Sequence, residues 1–180
     1  MLKSFLIFGW GLLCHLSRTK RSLATYRSDS WRYVFRLKAD AVVNAAYRQL
    51  VGGDGVDGTI RLAAGSQLRK ECAIPGGCPT GLAKIPRGYQ LSAKYVIHAV
   101  GSVWHGGDKI ESKLLASCYR SCLEFAAEYQ LTLMVFPVLS CGVYSFPANR
   151  PPGWQERRSD FLEVVSAAIA ADLSAPIVAI

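Results

Sequence analysis

Asp40-Ala41-Val42-Val43-Asn44-Ala45-Ala46, followed after five residues by Gly52-Gly53-Asp54-Gly55-Val56-Asp57-Gly58-Thr59-Ile60, is the stretch whose reading decides the fold. Ala41-Val42-Val43 is a short apolar run ending at Asn44, the pattern of a buried strand. Four glycines between 52 and 58 then make a turn whose backbone is suited to approach another group closely. A helix is expected next, with Asp57 as its N-cap and Thr59 to Ala64 in its body, and Ser66 is expected to cap a second short helix through Cys72. Gly53, Gly55 and Gly58 formally match G-x-G-x-x-G. The dinucleotide fingerprint requires its first glycine directly after a strand and an acid about 20 residues onward. Here Asn44 to Val51 intervene and Glu71 comes too early. No Gly-Lys-Ser/Thr follows, which excludes an NTPase phosphate loop.

Working outward, weaker strand signals lie at 83–85, and Tyr95 to Val100 reads as a buried strand stopped by Gly101. Glu111 to Tyr129 reads as an amphipathic helix with Leu114, Leu115, Cys118, Cys122, Phe125 and Tyr129 on one side. Leu131 to Leu139 is another expected strand, Asp160 to Asp172 a helix, and Pro176 to Ile180 the start of a strand. Alternating strands and helices argue for an α/β fold with a largely parallel sheet. Ligands of such sheets sit outside the carboxyl ends of the strands, which directs attention to the loop Ser140-Cys141-Gly142-Val143-Tyr144. Its peptide N–H groups can cradle a diphosphate, a helix N-terminus adds roughly 0.3–1 kcal/mol per charge, and Tyr144 can stack on a sugar or base.

The chain has 180 residues, 51% of them hydrophobic, and a net charge of +8. That length fits one domain with one core. The charge is uneven: residues 1–38 carry eight Lys/Arg and one acid, whereas residues 39–180 carry thirteen and twelve. The folded body is therefore close to neutral, and a specific nucleic-acid function has no support. Six cysteines and three histidines show no metal-ligand spacing, so reduced, intracellular thiols are expected, with Cys118 and Cys122 packed on one helix face. The apolar run Phe5 to Cys14 is too short to span a bilayer, which takes roughly 20 residues. Its length suits a signal-peptide core with Ser22-Leu23-Ala24 as cleavage site, and its Arg-rich flank also suits a mitochondrial presequence. A replaced leader is the third reading.

Six blocks in order resemble the macro domain family: Asp40 to Ala46, Gly52 to Ile60, Ala63-Ala64-Gly65, Cys78-Pro79-Thr80-Gly81, Tyr95 to Gly101, and Phe136 to Tyr144. The resemblance is closest to the branch that removes acetyl from O-acetyl-ADP-ribose and ADP-ribose from acidic side chains. It implies a three-layer α/β sandwich, a mixed central sheet between helices, whose sheet edges can be incomplete here. It divides the chain into a divergent basic leader (1–35) and a domain (36–180) that is family-like over 39–147. It implies ADP-ribose or O-acetyl-ADP-ribose as ligand, mono-ADP-ribosylated proteins as further partners, and no cofactor or metal; the short apolar run argues against a membrane span, and the thiols favour a cytosolic location, with mitochondrial or secretory targeting by the leader as the alternative. Gly52, Gly53, Gly55 and Val56 would cover the diphosphate and distal ribose. Ser140, Cys141, Gly142 and Val143 would form the opposing phosphate loop, with Tyr144 against the distal ribose. Asn44 would fix the ribose, and Asp57 would orient or deprotonate a water attacking the ester. Such general-base help is typically worth ~10²–10⁴-fold.

The chain departs from the family pattern at four places. Tyr47 stands where the branch has a second asparagine that assists catalysis, and a phenol lacks a carboxamide's paired donor and acceptor. Tyr33 stands where the family's adenine-fixing aspartate would be. Asp54 replaces a glycine of the ligand loop, where at ~5–6 Å and an effective dielectric near 20 it would repel each phosphate charge by roughly 3 kcal/mol before screening. Ser145 replaces the glycine after the stacking aromatic. The match also stops before Arg36 and after Pro147, so altered termini are expected, from splicing, a frame shift or gene decay. Three functions follow as expectations: a weak hydrolase, an ADP-ribose-binding module without chemistry, or a damaged chain.

Overall fold

The computed structural model describes residues 38–73, 76–108 and 110–147, together with the strand backbones at 4–9, 12–17 and 20–22. The elements in chain order are β1 (Ser4–Gly9), β2 (Leu12–Ser17), β3 (Lys20–Ser22), β4 (Ala41–Ala45), α1 (Gly55–Ala64), α2 (Ser66–Cys72), β5 (Ala83–Lys84), β6 (Tyr95–Ala99), α3 (Glu111–Glu128) and β7 (Met134–Pro137). They form a sheet of order β3-β2-β1-β7-β4-β6-β5. β4 runs parallel to β6 and β7, and β1 parallel to β7. The pairs β5–β6, β1–β2 and β2–β3 are antiparallel. The sheet is thus mixed, as the family resemblance implies, rather than largely parallel as the alternation of elements suggests. Part of the segment read as a leader supplies β1 to β3 at one edge. The expected helix at 160–172 and strand at 176–180 lie outside the described residues, as does Tyr33.

Side chains alternate across the central strands and so fill two cores. Val43, Ile97, Met134 and Phe136 pack on Leu115, Cys118, Tyr119, Cys122 and Leu123 of α3. Val42, Val96 and Val135 pack on Ile60, Ala64, Leu68 and Cys72 of α1 and α2. At about 1.5–3 kcal/mol for each large apolar side chain buried, these two cores are what hold three layers together. α3 is rotated relative to the expected face. Tyr119, Leu123 and Ala126 are buried with Cys118 and Cys122, while Tyr129 is exposed. The strand expected over 131–139 shortens to Met134–Pro137.

Two details fix the two ends of β4. Asp40 ties the start of β4 to the approach of β7, because its carboxylate accepts from Thr132 N (2.8 Å), Thr132 Oγ1 (2.7 Å), Leu133 N (3.1 Å) and Lys94 Nζ (2.9 Å). Burial pushes this carboxyl up, but those hydrogen bonds outweigh it and hold the group at about 2. The second detail corrects an expectation. Asp54, not Asp57, is the N-cap residue of α1, and its side chain makes no capping bond. The helix begins three residues earlier than expected because Gly55, at φ +62°, turns the chain directly into it. Asp57 therefore lies in the first helical turn, facing inward. Ser66 likewise begins α2 rather than capping it, and Gly65 holds the cap position.

Candidate functional site

Asn44 and Asp57 come together at the carboxyl end of β4. Asn44 Nδ2 donates to Asp57 Oδ1 (2.5 Å) and lies 2.7 Å from His98 Nδ1. The sheet explains the second contact: Asn44 and His98 are register partners in the β4–β6 ladder, and paired residues present their side chains to the same face. On the other side of His98, Nε2 lies 3.1 Å from Cys72 Sγ at the end of α2. Burial, then the positive charge of Arg61, lowers His98 to about 4 against the opposing pull of Asp57, so its ring is neutral at pH 7.

Arg61 stands one helical turn after Asp57 and donates from Nε to Asp57 Oδ1 (2.9 Å) and from Nη2 to Leu50 O (2.9 Å). Asp57 is 2% and Arg61 6% exposed. Oδ1 of Asp57 thus takes both donors. Oδ2 is left on the side of Gly53, where a Cβ would sit 3.3 Å from it. A buried ion pair is not strong evidence of added stability, but removing one partner costs about 3–5 kcal/mol. Asp57 therefore ties α1 to the end of β4, and Arg61 ties α1 to Leu50 ahead of the glycine loop, whatever else they do.

Gly53 has no room for a side chain, because a Cβ there would collide with the Tyr47 ring. The other edge of that ring meets Tyr144, with centroids 5.8 Å apart and planes at 72°. Tyr47 therefore bridges the glycine loop and the loop after β7 and brings the two loops together. Gly52 (φ +115°) and Gly55 lie along the glycine loop, while the Val56 side chain packs inward against the α1–α2 core.

The second loop is closed by Phe146 N donating to Ser140 O (2.9 Å), Ser145 N to Gly142 O (2.8 Å) and Trp104 N to Tyr144 O (2.9 Å). Ser140 adopts φ +64°, and its buried Oγ fits because Gly101 opposite has no Cβ to collide with it. That hydroxyl has no hydrogen-bond partner among the described residues. The amides of Gly142 and Val143 have no protein acceptor among the described residues either. A Cβ on Gly142 would meet nothing within 4 Å, and Val143 is 83% exposed. The loop tip thus borders open space and carries two peptide N–H groups without an acceptor among the described residues, which suit an anion. Burial pushes the Cys141 thiol up to about 12, which disfavours the thiolate at neutral pH.

The predicted residues Asn44, Gly53, Asp57 and Tyr144 are brought together directly or through Tyr47. Cys141, Gly142 and Val143 follow along the same loop. Sequence reading missed Arg61, His98 and Cys72. Arg61 was signalled by its spacing of four from Asp57. The Asn44–His98 pairing needed strand register, which two separated apolar runs do not specify.

Residues 43–151 match the family model described as Macro domain. A macro domain-containing protein from Methanosarcina mazei is 53% identical over 120 residues, covering 67% of this chain and 64% of that protein. The chain thus spans a little under two thirds of that relative's length. A protein of Enterobacter cloacae named O-acetyl-ADP-ribose deacetylase is 48% identical over 115 residues, covering 62% of this chain and 64% of its own. Among solved structures, a mutant Oceanobacillus iheyensis macrodomain with ADPR superposes with a TM-score of 0.69 at 32% identity, covering 81% of this chain and 78% of that one.

Proposed function

This chain belongs to the macro domain family, and from that premise we propose that its cleft binds ADP-ribose and hydrolyses an ester at the far ribose. The observation that carries the reading is the bridge at Tyr47, which brings the glycine loop and the Ser140–Tyr144 loop together beside the hydrogen-bonded pair Asn44 and Asp57. The free amides of Gly142 and Val143 suit the diphosphate, as does the N-terminal turn of α1 from the opposite side. The Ser140–Tyr144 loop presents backbone and no side-chain charge, which suits a ligand whose phosphates must come close, whereas exposed Asp54 in the glycine loop works against them. The relative named O-acetyl-ADP-ribose deacetylase and the macrodomain solved with ADPR support that choice of ligand.

The chemistry assigned to Asp57 uses its two oxygens differently. Oδ1 is held by Asn44 and Arg61, which fixes the carboxylate plane. Oδ2, on the Gly53 side, accepts a proton of a water whose oxygen attacks the ester carbonyl. The acyl–oxygen bond then breaks, the ribose hydroxyl recovers a proton, and the acid leaves. The substrates are O-acetyl-ADP-ribose or ADP-ribosyl esters of Asp and Glu side chains.

A second reading, an ADP-ribose-binding module without turnover, is favoured by a specific observation. Asp57 is 2% exposed and Asn44 0%, and the Tyr47 ring stands against Gly53 where the branch's second asparagine would act. Calorimetric titration with ADP-ribose, run beside an O-acetyl-ADP-ribose turnover assay, separates the two. Binding with turnover supports the hydrolase, binding alone supports the module, and no binding to a cooperatively folded protein refutes both.

A further inference from the structure

Which way round the Asn44 carboxamide lies follows from chemistry rather than from its atom labels. Asp57 Oδ1 is an acceptor, so the group 2.5 Å from it must be the NH2. That same NH2 lies 2.7 Å from His98 Nδ1. Nδ1 must then offer a lone pair, which places the ring proton on Nε2. Nε2 in turn lies 3.1 Å from the sulfur of Cys72, which accepts. Once both amide hydrogens are spent on Asp57 and His98, Asn44 Oδ1 is buried with no hydrogen-bond partner among the described residues. An unpaired buried acceptor is unfavourable, and it has to be compensated elsewhere or put to use.

We propose that His98 is a positioning residue of the cleft: its Nδ1 lone pair, with Cys72 behind the ring, locks the Asn44 carboxamide so that Oδ1 is kept to accept a hydroxyl of the bound ribose. This rests on the ADP-ribose reading given above. Without an acceptor at the Nδ1 position the NH2 loses one of its two partners. The amide can then rotate, presenting NH2 where the hydroxyl should donate. Asparagine at position 98 restores an acceptor near the Nδ1 position, whereas phenylalanine fills the ring's volume without one.

The first test needs no ligand. A long-range nitrogen–proton NMR correlation of the His98 ring at neutral pH is expected to show the proton on Nε2, and a proton on Nδ1 overturns the proposal. The second is titration of the full chain with ADP-ribose. His98→Phe is expected to weaken binding by about tenfold, the equivalent of roughly 1.4 kcal/mol, and His98→Asn to restore it to within about threefold of wild type, a gap of under 1 kcal/mol. Equal affinity in wild type and His98→Phe overturns the proposal, as does equal loss in both variants when both unfold cooperatively. Should His98→Phe fail to fold, His98→Leu takes its place. If wild type itself does not bind ADP-ribose, the functional reading falls, while the tautomer still decides the orientation of Asn44.

Discussion

Replacing Tyr47 with alanine is expected to tighten ADP-ribose binding, opposite to the usual effect of removing an aromatic from a cleft. The ring stands edge-on to Tyr144 at 5.8 Å and covers Gly53. A ligand entering between the loops has to displace it. Such an aromatic pair is worth about 0.5–1.5 kcal/mol beyond its buried area. If binding gives up that energy, removing the ring tightens the dissociation constant by roughly two- to twelvefold. The free protein should lose a similar amount of stability, about 1 kcal/mol, because the ring then no longer bridges the loops. Calorimetric titration gives the first quantity and urea denaturation the second, with Tyr47→Phe as the control that keeps the ring and matches wild type in both. Weaker binding by the alanine variant would refute the reasoning, since it would make Tyr47 a platform under the ligand rather than an occupant of its place.

Gly142→Val is expected to leave stability within about 0.5 kcal/mol of wild type, since open space surrounds the Cβ, while raising the ADP-ribose dissociation constant at least tenfold, roughly 1.4 kcal/mol; thermal melts and titration check the two halves. Ser145→Gly should stabilise the fold by up to about 1 kcal/mol, because Ser145 occupies the left-handed region at φ +53°; no rise in melting temperature would contradict this. The Asp40 carboxyl, held at about 2 against 3.8, contributes stability that is fully present above about pH 4 and lost as pH falls through about 2, so Asp40→Asn should be less stable at pH 7 and the gap should close between those values in urea melts. His98, lowered from 6.5 to about 4, makes wild-type stability fall as pH drops through that window, because the unfolded chain takes up a proton the folded one excludes; His98→Asn should flatten the slope there. Asp57→Asn keeps an acceptor for Asn44 and Arg61 and should abolish turnover while the protein still folds, whereas Asp57→Ala should lose about 3–5 kcal/mol by stranding Arg61.

What was legible in the sequence was local. Ala41-Val42-Val43 and Tyr95 to Val100 announce buried strands by apolar runs, and the blocks around Gly52 and Ser140 carry the family resemblance, so fold and cleft could be named together. What was not legible depends on pairing or on helix phase. Asp57 looked like a cap because aspartate before Thr59-Ile60 is a good capping residue. Gly55 starts the helix earlier and turns Asp57 inward, where Arg61 can meet it. Tyr47 was visible as a departure but not as a bridge, because its partners Gly53 and Tyr144 lie on two different loops. His98 reads as one more position in an apolar strand until the register sets it beside Asn44. The mixed character of the sheet was missed in the alternation of elements for a similar reason: β5 is two residues long and β1 to β3 come from a segment whose charge suggests a leader.

The buried polar line from Cys72 through His98, Asn44 and Asp57 to Arg61 also explains how a cleft made of glycines can be precise. Gly52, Gly53 and Gly55 would let the loop come close to the proposed ligand but contribute nothing to its own rigidity, since glycine loses more conformational freedom on folding than any other residue. Arg61 offsets this from beneath, holding Asp57 with Nε and the Leu50 carbonyl with Nη2, so the loop is anchored just before Gly52 and again after Gly55. The same carboxylate oxygen that receives Arg61 receives Asn44 at the end of β4. Loop, helix and strand are thereby referred to one atom, Asp57 Oδ1, and any shift of it moves Oδ2 and the Asn44 carboxamide together. The proposed chemistry and the shape of the proposed cleft are therefore coupled, and a variant that loosens the anchor should lose affinity and turnover in parallel even when every residue lining the cleft is intact.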